Sequence, residues 1–221
     1  MCGRYNIIDD PAIRDLLAYL GIRQQLQTTY NIAPTEMVPV IRQGEAAPEL
    51  CRMRWWLVPS WAKEPSTKYS MFNARAEGLA ESRAFRHPFK RQRCILPASS
   101  FIEWRKEDGK QPYDIRLQQG ALALAGLWDC WGEGSETILS CAMITTDATP
   151  GFRHIHSRMP VMLEQDMLHQ WLNPEIDGRS LMACLLPNLP GPLQAVPVAT
   201  RINNSRVKEK PEPIAAEERI E

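Results

Sequence analysis

Most apolar positions in this chain fall in short runs of strand length, and few recur at helical spacing. One helix is clear. Ile13, Leu16, Leu17 and Leu20 follow Asp9-Asp10-Pro11 at intervals of three and four, with Asp10 suited to cap the helix, Pro11 to open it and Gly21 to end it. Strands are predicted over residues 37–42, 49–58, 113–117, 121–128, 138–145 and 196–198, and in the buried runs at 94–97 and 101–104. Short helices are predicted at 164–172 and 178–186, the second broken by the Pro-rich stretch 187–192. Residues 43–48 and 106–110 read as turns, 30–35 as a loop, and 62–69 as an exposed loop containing Pro65. From Lys208 onward large apolar residues nearly vanish, so 208–221 is expected to be a disordered tail behind a folded unit spanning 1–207. There is no internal repeat. Many short strands and few helices argue for α+β, a single domain built on antiparallel sheet.

Composition narrows the partners without naming one. Twenty-six basic residues balance 26 acidic ones, so a polyanion must be met by a local patch and not by the field of the whole chain. No apolar run reaches transmembrane length and no signal peptide opens the chain, so a cytoplasmic protein with no membrane partner is expected. The six cysteines make no C-x-x-C pair and no zinc-ligand spacing with His, so reduced thiols and no metal are expected.

Candidate chemistry is concentrated in a few stretches. The chain opens Met1-Cys2-Gly3-Arg4. Removal of Met1 before a small residue would leave Cys2 with thiol and free amine two carbons apart. An α-amine near pKa 7.7–8.0 and a thiol near about 8.5 keep reactive forms of both at neutral pH. Such a pair can attack an aldehyde and close a five-membered ring. Asn73, Arg75 and Glu77 alternate, so extended backbone would put them on one face. Arg83, Arg86, His87, Lys90, Arg91 and Arg93 form the densest basic cluster, readable as a phosphate patch or as a solvated helical face. Glu103 lies among Phe101, Ile102 and Trp104, which allows either a desolvated carboxyl of raised pKa or an edge-strand residue facing water. His154 and His156 precede Arg158. One His as acid/base, with Arg158 as an anion contact, suits them better than metal binding.

Six blocks in order carry a family resemblance: Met1-Cys2-Gly3-Arg4-Tyr5, Tyr30-Asn31-Ile32-Ala33-Pro34, Trp55-Trp56-Leu57-Val58-Pro59-Ser60-Trp61, Phe72-Asn73-Ala74-Arg75-Ala76-Glu77, Phe101-Ile102-Glu103-Trp104 and Ile155-His156-Ser157-Arg158-Met159-Pro160. Together they resemble the abasic-site processing proteins of the SOS response-associated peptidase (SRAP) family, from residue 2 to about Asn203. The resemblance implies an antiparallel, barrel-like sheet core flanked by helices. It implies capture of abasic sites in single-stranded DNA as a covalent thiazolidine on Cys2 after Met1 is lost, with no cofactor. It implies a catalytic set of Cys2, Asn73, Glu103 and His156, and DNA contacts at or beside Arg4, Pro34, Trp61, Arg75, Thr145 and Arg158. A monomer, nucleoid-associated when bound to DNA, is the expected state. Trp56 stands where relatives commonly carry Gly, and only Trp61 follows the Pro59-Ser60 pair where some relatives have two Trp. Three other functions also fit an exposed Cys2 in varying degree: an N-terminal-nucleophile amidohydrolase, a peptidase acting on Met1, or a single-strand binder with Cys2 idle.

Overall fold

A computed structural model describes residues 2–105 and 109–221 of the chain. Met1 and its removal, and most of the turn expected at 106–110, lie outside the described residues. In chain order the first strands are β1 (Tyr5–Ile7), β2 (Thr29–Ile32), β3 (Met37–Gln43), β4 (Pro48–Arg54), β5 (Asn73–Arg75) and β6 (Arg93–Ala98). There follow β7 (Ser100–Arg105), β8 (Gln111–Leu117), β9 (Leu122–Trp131), β10 (Ile138–Asp147), β11 (Arg158–Pro160), β12 (Leu193–Pro197) and β13 (Glu218–Ile220). The helices are α1 (Pro11–Tyr19), α2 (Arg86–Arg91) and α3 (Leu168–Leu172).

Strands β10, β4, β3, β6 and β9 pair in that order, and β9 pairs back to β10, which closes a five-stranded barrel. The β10–β4 seam of this ring is one parallel bridge, Ser140 opposite Arg54; the other seams are antiparallel. Val40, Met53, Leu96, Leu124 and Cys141 from these strands are wholly buried, each such aliphatic side chain contributing about 1.5–3 kcal/mol. Gly126 lies opposite Cys94, and a Cβ there would meet Leu96 Cδ1 at 2.5 Å and Cys94 Sγ at 2.9 Å. Only glycine lets the strands pack this closely.

A second, open antiparallel sheet pairs strands in the order β13-β12-β8-β7-β1-β2. The α+β, barrel-like, antiparallel core expected from the sequence is therefore the observed one. α1 is capped as expected: Ile13 N–H donates to Asp10 Oδ1 at 3.0 Å, and Gly21, at φ +75°, turns the chain away.

Other expectations need correction, among them the strand foreseen at 49–58, which ends at Arg54, and the helix foreseen at 164–172, which is α-helical only over Leu168–Leu172. The loop foreseen at 30–35 starts as β2, because its main chain completes the ladder of β1. Residues 178–186 form a 3-10 segment, Gly178–Leu185, and not a regular helix; a Cβ at Gly178 would sit 2.0 Å from Phe89 O, so α2 and this segment touch backbone to backbone. The disordered tail is the largest change. β13 pairs with β12 through Leu193–Ile220, Gln194–Arg219 and Ala195–Glu218, and Ile220 is buried. Its pairing to β12 uses main-chain hydrogen bonds that a charged composition does not reveal.

The basic cluster divides in two. Arg83, Arg86, His87, Lys90 and Arg91 are exposed, while Arg93 is fully buried and donates to the carbonyls of Trp171, Phe89, Lys90, Asn173 and Ile176. Burial pushes Arg93 down to about 10. It latches α2 and α3 to the barrel instead of meeting a phosphate.

Candidate active site at the seam of barrel and sheet

Cys2 lies just ahead of β1, where the open sheet meets the barrel, and is fully buried. β1 pairs with β7 through Tyr5–Phe101, and Ile102 N–H donates to Arg4 C=O at 2.9 Å. The ladder thus brings the amino-terminal residues alongside Glu103. β7 runs between β8 and β1, so Glu103 sits on an interior strand and is only 1% exposed. The water-facing edge reading of this residue is overturned. Strand alternation explains the orientation. Ile102 packs with Val196, Val198 and Ile202 on one face of β7, while Phe101 stacks on Phe152, ring centroids 5.9 Å apart, on the face that Glu103 shares.

The barrel supplies the opposite wall. β5 is a short strand added in parallel to β10, with Asn73 opposite Met143 and Arg75 opposite Thr145. The carbonyl just before Asn73 is fixed by two donors, Trp55 Nε1 at 2.9 Å and Met143 N at 2.9 Å. Asn73 Nδ2 then donates across the seam to Cys2 C=O at 2.9 Å. Its Oδ1 is buried and has no partner among the described residues. Trp56 leans on Phe72, the residue before Asn73, with ring centroids 5.4 Å apart.

The electrostatics follow from burial. Desolvation pushes the Glu103 carboxyl above its usual range; the positive charge of His156 pulls against it without reversing it. Burial, and then the Glu103 charge, push the Cys2 thiol well up. The thiol is therefore held neutral and Glu103 can carry a proton closer to neutrality than an exposed carboxyl would. His156 Nδ1 lies 2.9 Å from Arg158 N–H and 3.1 Å from Arg158 C=O. The N–H needs an unprotonated Nδ1 and the carbonyl a protonated one, so either tautomer of the ring finds a partner at Nδ1. The neutral ring that accepts from Arg158 N–H carries its proton on Nε2 by this assignment.

The structure brings Cys2, Asn73, Glu103 and His156 to one seam: Asn73 hydrogen-bonds Cys2, Glu103 acts on the Cys2 thiol, and His156 acts on Glu103. The expected contact residues are placed less uniformly. Arg4 is half-buried, donates to Gly3 C=O at 2.8 Å and has its guanidinium 6.0 Å from the Trp104 ring. Pro34 is half-buried in a loop whose neighbours Asn31 and Thr35 have φ of +51° and +79°. Trp61 is 50% exposed and carries the Arg83 guanidinium 4.1 Å above its ring. Arg75 is exposed.

Thr145 is fully buried, so its side chain is not offered to a strand; its C=O accepts from Arg158 at 2.7 Å. Arg158 is also clamped by Glu77, at 2.7 and 3.0 Å, and by Asp147 at 2.8 Å. Burial disfavours its charge, but these carboxylates outweigh that and hold it above its ordinary value. Glu77 does not share an extended face with Asn73 and Arg75, because the strand ends at Arg75 and Glu77 sits in a 3-10 turn.

Several residues of the seam were not singled out from the sequence. Asn203 Oδ1 accepts from Trp104 Nε1 at 2.7 Å. Lys208 reaches Asn31 C=O at 2.8 Å and the Glu36 carboxylate. Asn6 donates to Ser100 Oγ at 2.8 Å and Asp114 Oδ1 at 2.9 Å, and accepts from Asn31 N–H at 2.8 Å. Asn6 could have been noticed as a polar residue within an apolar run; Asn203 and Lys208 lie in polar stretches that carry no such signal. Among the described residues no cluster of His, Cys, Asp or Glu could hold a metal ion, and no helix is long and apolar enough to cross a membrane.

Comparison with known proteins places the chain in one family. The sequence model of a family described as "SOS response associated peptidase (SRAP)" matches residues 1–205. The chain is 36% identical to "Abasic site processing protein YoaM" of Bacillus subtilis (strain 168) over 216 residues, 93% of this chain and 94% of that one. It is 31% identical to "Abasic site processing protein HMCES" of Xenopus tropicalis over 234 residues, 89% of this chain and 68% of that one. A crystal structure of a Bordetella bronchiseptica protein superposes with a TM-score of 0.78 at 26% identity, covering 90% of this chain and all of that one. One from Bacteroides thetaiotaomicron superposes at 0.75 and 27%, covering 88% and 91%.

Proposed function

Since the chain belongs to the SOS response associated peptidase (SRAP) family, we propose that it processes abasic sites in single-stranded DNA by forming a covalent thiazolidine on Cys2 once Met1 is gone. The observation that carries the reading is the Asn73–Cys2 hydrogen bond across the seam, beside a buried Glu103. An abasic sugar is mostly a closed hemiacetal, so a proton must move before an aldehyde exists. Glu103 and His156 are suited to that transfer. The freed α-amine of Cys2 attacks C1′ of the aldehyde and gives a carbinolamine. Protonation of its hydroxyl expels water and leaves an iminium. The thiol sulfur then adds to the same carbon while its proton passes to the conjugate base, closing the ring. One water is lost overall and nothing is oxidised or reduced.

The neutral thiol favours the amine as the first nucleophile, since only a thiolate attacks fast. Asn73 Oδ1, free among the described residues, can accept from the α-amine or the sugar. Arg4 and Arg75 meet phosphates and Trp61 stacks a base, the usual division of labour in single-strand binding. Arg158, neutralised by Glu77 and Asp147, serves mainly to orient His156 through its backbone.

The test is incubation with an oligonucleotide carrying one abasic site, followed by denaturing electrophoresis. A denaturation-resistant adduct with abasic and not intact strand is expected. Glutamine hydrolysis without DNA would favour an amidohydrolase instead, and equal non-covalent retention of both strands would favour a simple binder.

A further inference from the structure

The final strand β13 lies beyond the residues matched by the family model and does more than extend a sheet edge. His156 sits in the segment 148–157 between β10 and β11. Ala148 N–H donates to Ser157 C=O at 3.0 Å and closes that segment at its base. At its far end, a Cβ on Gly151 would lie 2.5 Å from Glu221 O and 3.4 Å from Ile220 Cγ2. The end of β13 is thus pressed against the backbone of the His156 loop, with no room for a side chain between them.

A polar link reinforces this contact. Glu218 Oε1 accepts from Arg105 at 2.6 Å and lies 3.1 Å from His154 Nε2. Arg105 is two residues after Glu103 on β7, hence on the same face, and its guanidinium also lies 4.5 Å over the Tyr113 ring. His154 is two residues before His156. One carboxylate oxygen therefore joins the strand of the buried acid to the loop of the histidine. The pair is partly exposed, with Glu218 38% and His154 46% accessible, so it adds little to overall stability. Its contribution is to geometry.

We infer that β13, acting through Glu218, is a positioning element that sets His156 relative to Glu103. The inference rests on the function proposed above, in which those two residues share proton transfer. A displacement on the order of 1 Å at such a pair is enough to cost up to about 100-fold in rate.

The test compares wild type, Glu218→Ala and Glu218→Gln on a single-stranded oligonucleotide with one abasic site. It reads the adduct-forming rate at saturating DNA and the concentration giving half that rate. Binding of an oligonucleotide carrying tetrahydrofuran, an abasic analogue with no aldehyde, reports strand affinity separately. Glu218→Ala is expected to lower the saturating rate about tenfold, with half-saturation, tetrahydrofuran binding and thermal midpoint unchanged. Glu218→Gln, which keeps an acceptor oxygen at the same reach, should recover most of the rate. Equal saturating rates for wild type and Glu218→Ala would overturn the inference, as would a loss confined to strand affinity. Absence of any adduct with wild type would instead sink the proposed function.

Discussion

The barrel interior and the seam beside it both bury cysteine, and they bury it differently. Cys94 and Cys141 sit fully buried on barrel strands, and their thiols are pushed up by burial and then by other thiols, each other's in the case of Cys94 and that of Cys51 for both. No carboxyl is among the groups that shift either thiol. Cys2 is as deeply buried and its thiol is also raised, but its second neighbour is Glu103, and Asn73 holds its carbonyl. Burial by itself makes an inert thiol. What distinguishes the seam is that two independently built walls, β7 of the sheet and β5 on the barrel, present polar groups to one residue at the mouth of β1.

The comparison is broken most severely by exchanging cysteines. Cys2→Ser should abolish the stable adduct on denaturing gels, its amine retaining at most a reducible imine. Cys141→Ala should form adduct at the wild-type rate while losing about 1–2 kcal/mol in denaturant unfolding. Equal adduct yields from Cys2→Ser and wild type would remove the seam's claim to chemistry.

Next in size is Glu103→Gln, expected to slow adduct formation by about 100-fold or more. It also carries a stability signature. A carboxyl whose pKa rises on folding binds its proton more tightly in the folded state. Wild-type stability should therefore fall as pH rises from the ordinary Glu range, about 4.3, through the raised folded value. Glu103→Gln should flatten that slope in denaturant titrations across the same window, and an unaltered slope would mean the carboxyl is not desolvated as described.

The arginines extend the contrast at smaller scale. Arg93→Met strands five carbonyls and should cost about 2–4 kcal/mol in chemical denaturation, with little change in adduct rate per folded molecule. Glu77→Gln releases part of the clamp on Arg158 and should tighten tetrahydrofuran-oligonucleotide binding by only about twofold, with a slightly steeper salt dependence.

The sequence made some of this legible and hid the rest for physical reasons. α1 could be read because its cap and stop are local residues, Asp10 and Gly21. The barrel strands could be read because their apolar runs are buried. Asn73, Glu103 and His156 stood out through neighbouring residues and the family resemblance. Barrel closure could not be read, because Ser140 meets Arg54 across a large sequence separation. The burial of Glu103 depends on β7 being an interior strand, which is a fact of topology. Thr145 and Arg158 looked like strand contacts, yet the carboxylates that clamp Arg158 come from a turn and from the end of β10. The tail was misread because β13 is held by main-chain pairing and by Glu218, neither of which shows in composition.

The intact mass of the purified chain under denaturing conditions, with and without a single-stranded abasic oligonucleotide, reports both loss of Met1 and covalent capture. The account predicts a protein lacking its initiator methionine, and a product whose mass is the sum of protein and oligonucleotide less one water. A chain that retains Met1, or a mass unchanged by the oligonucleotide, would contradict it.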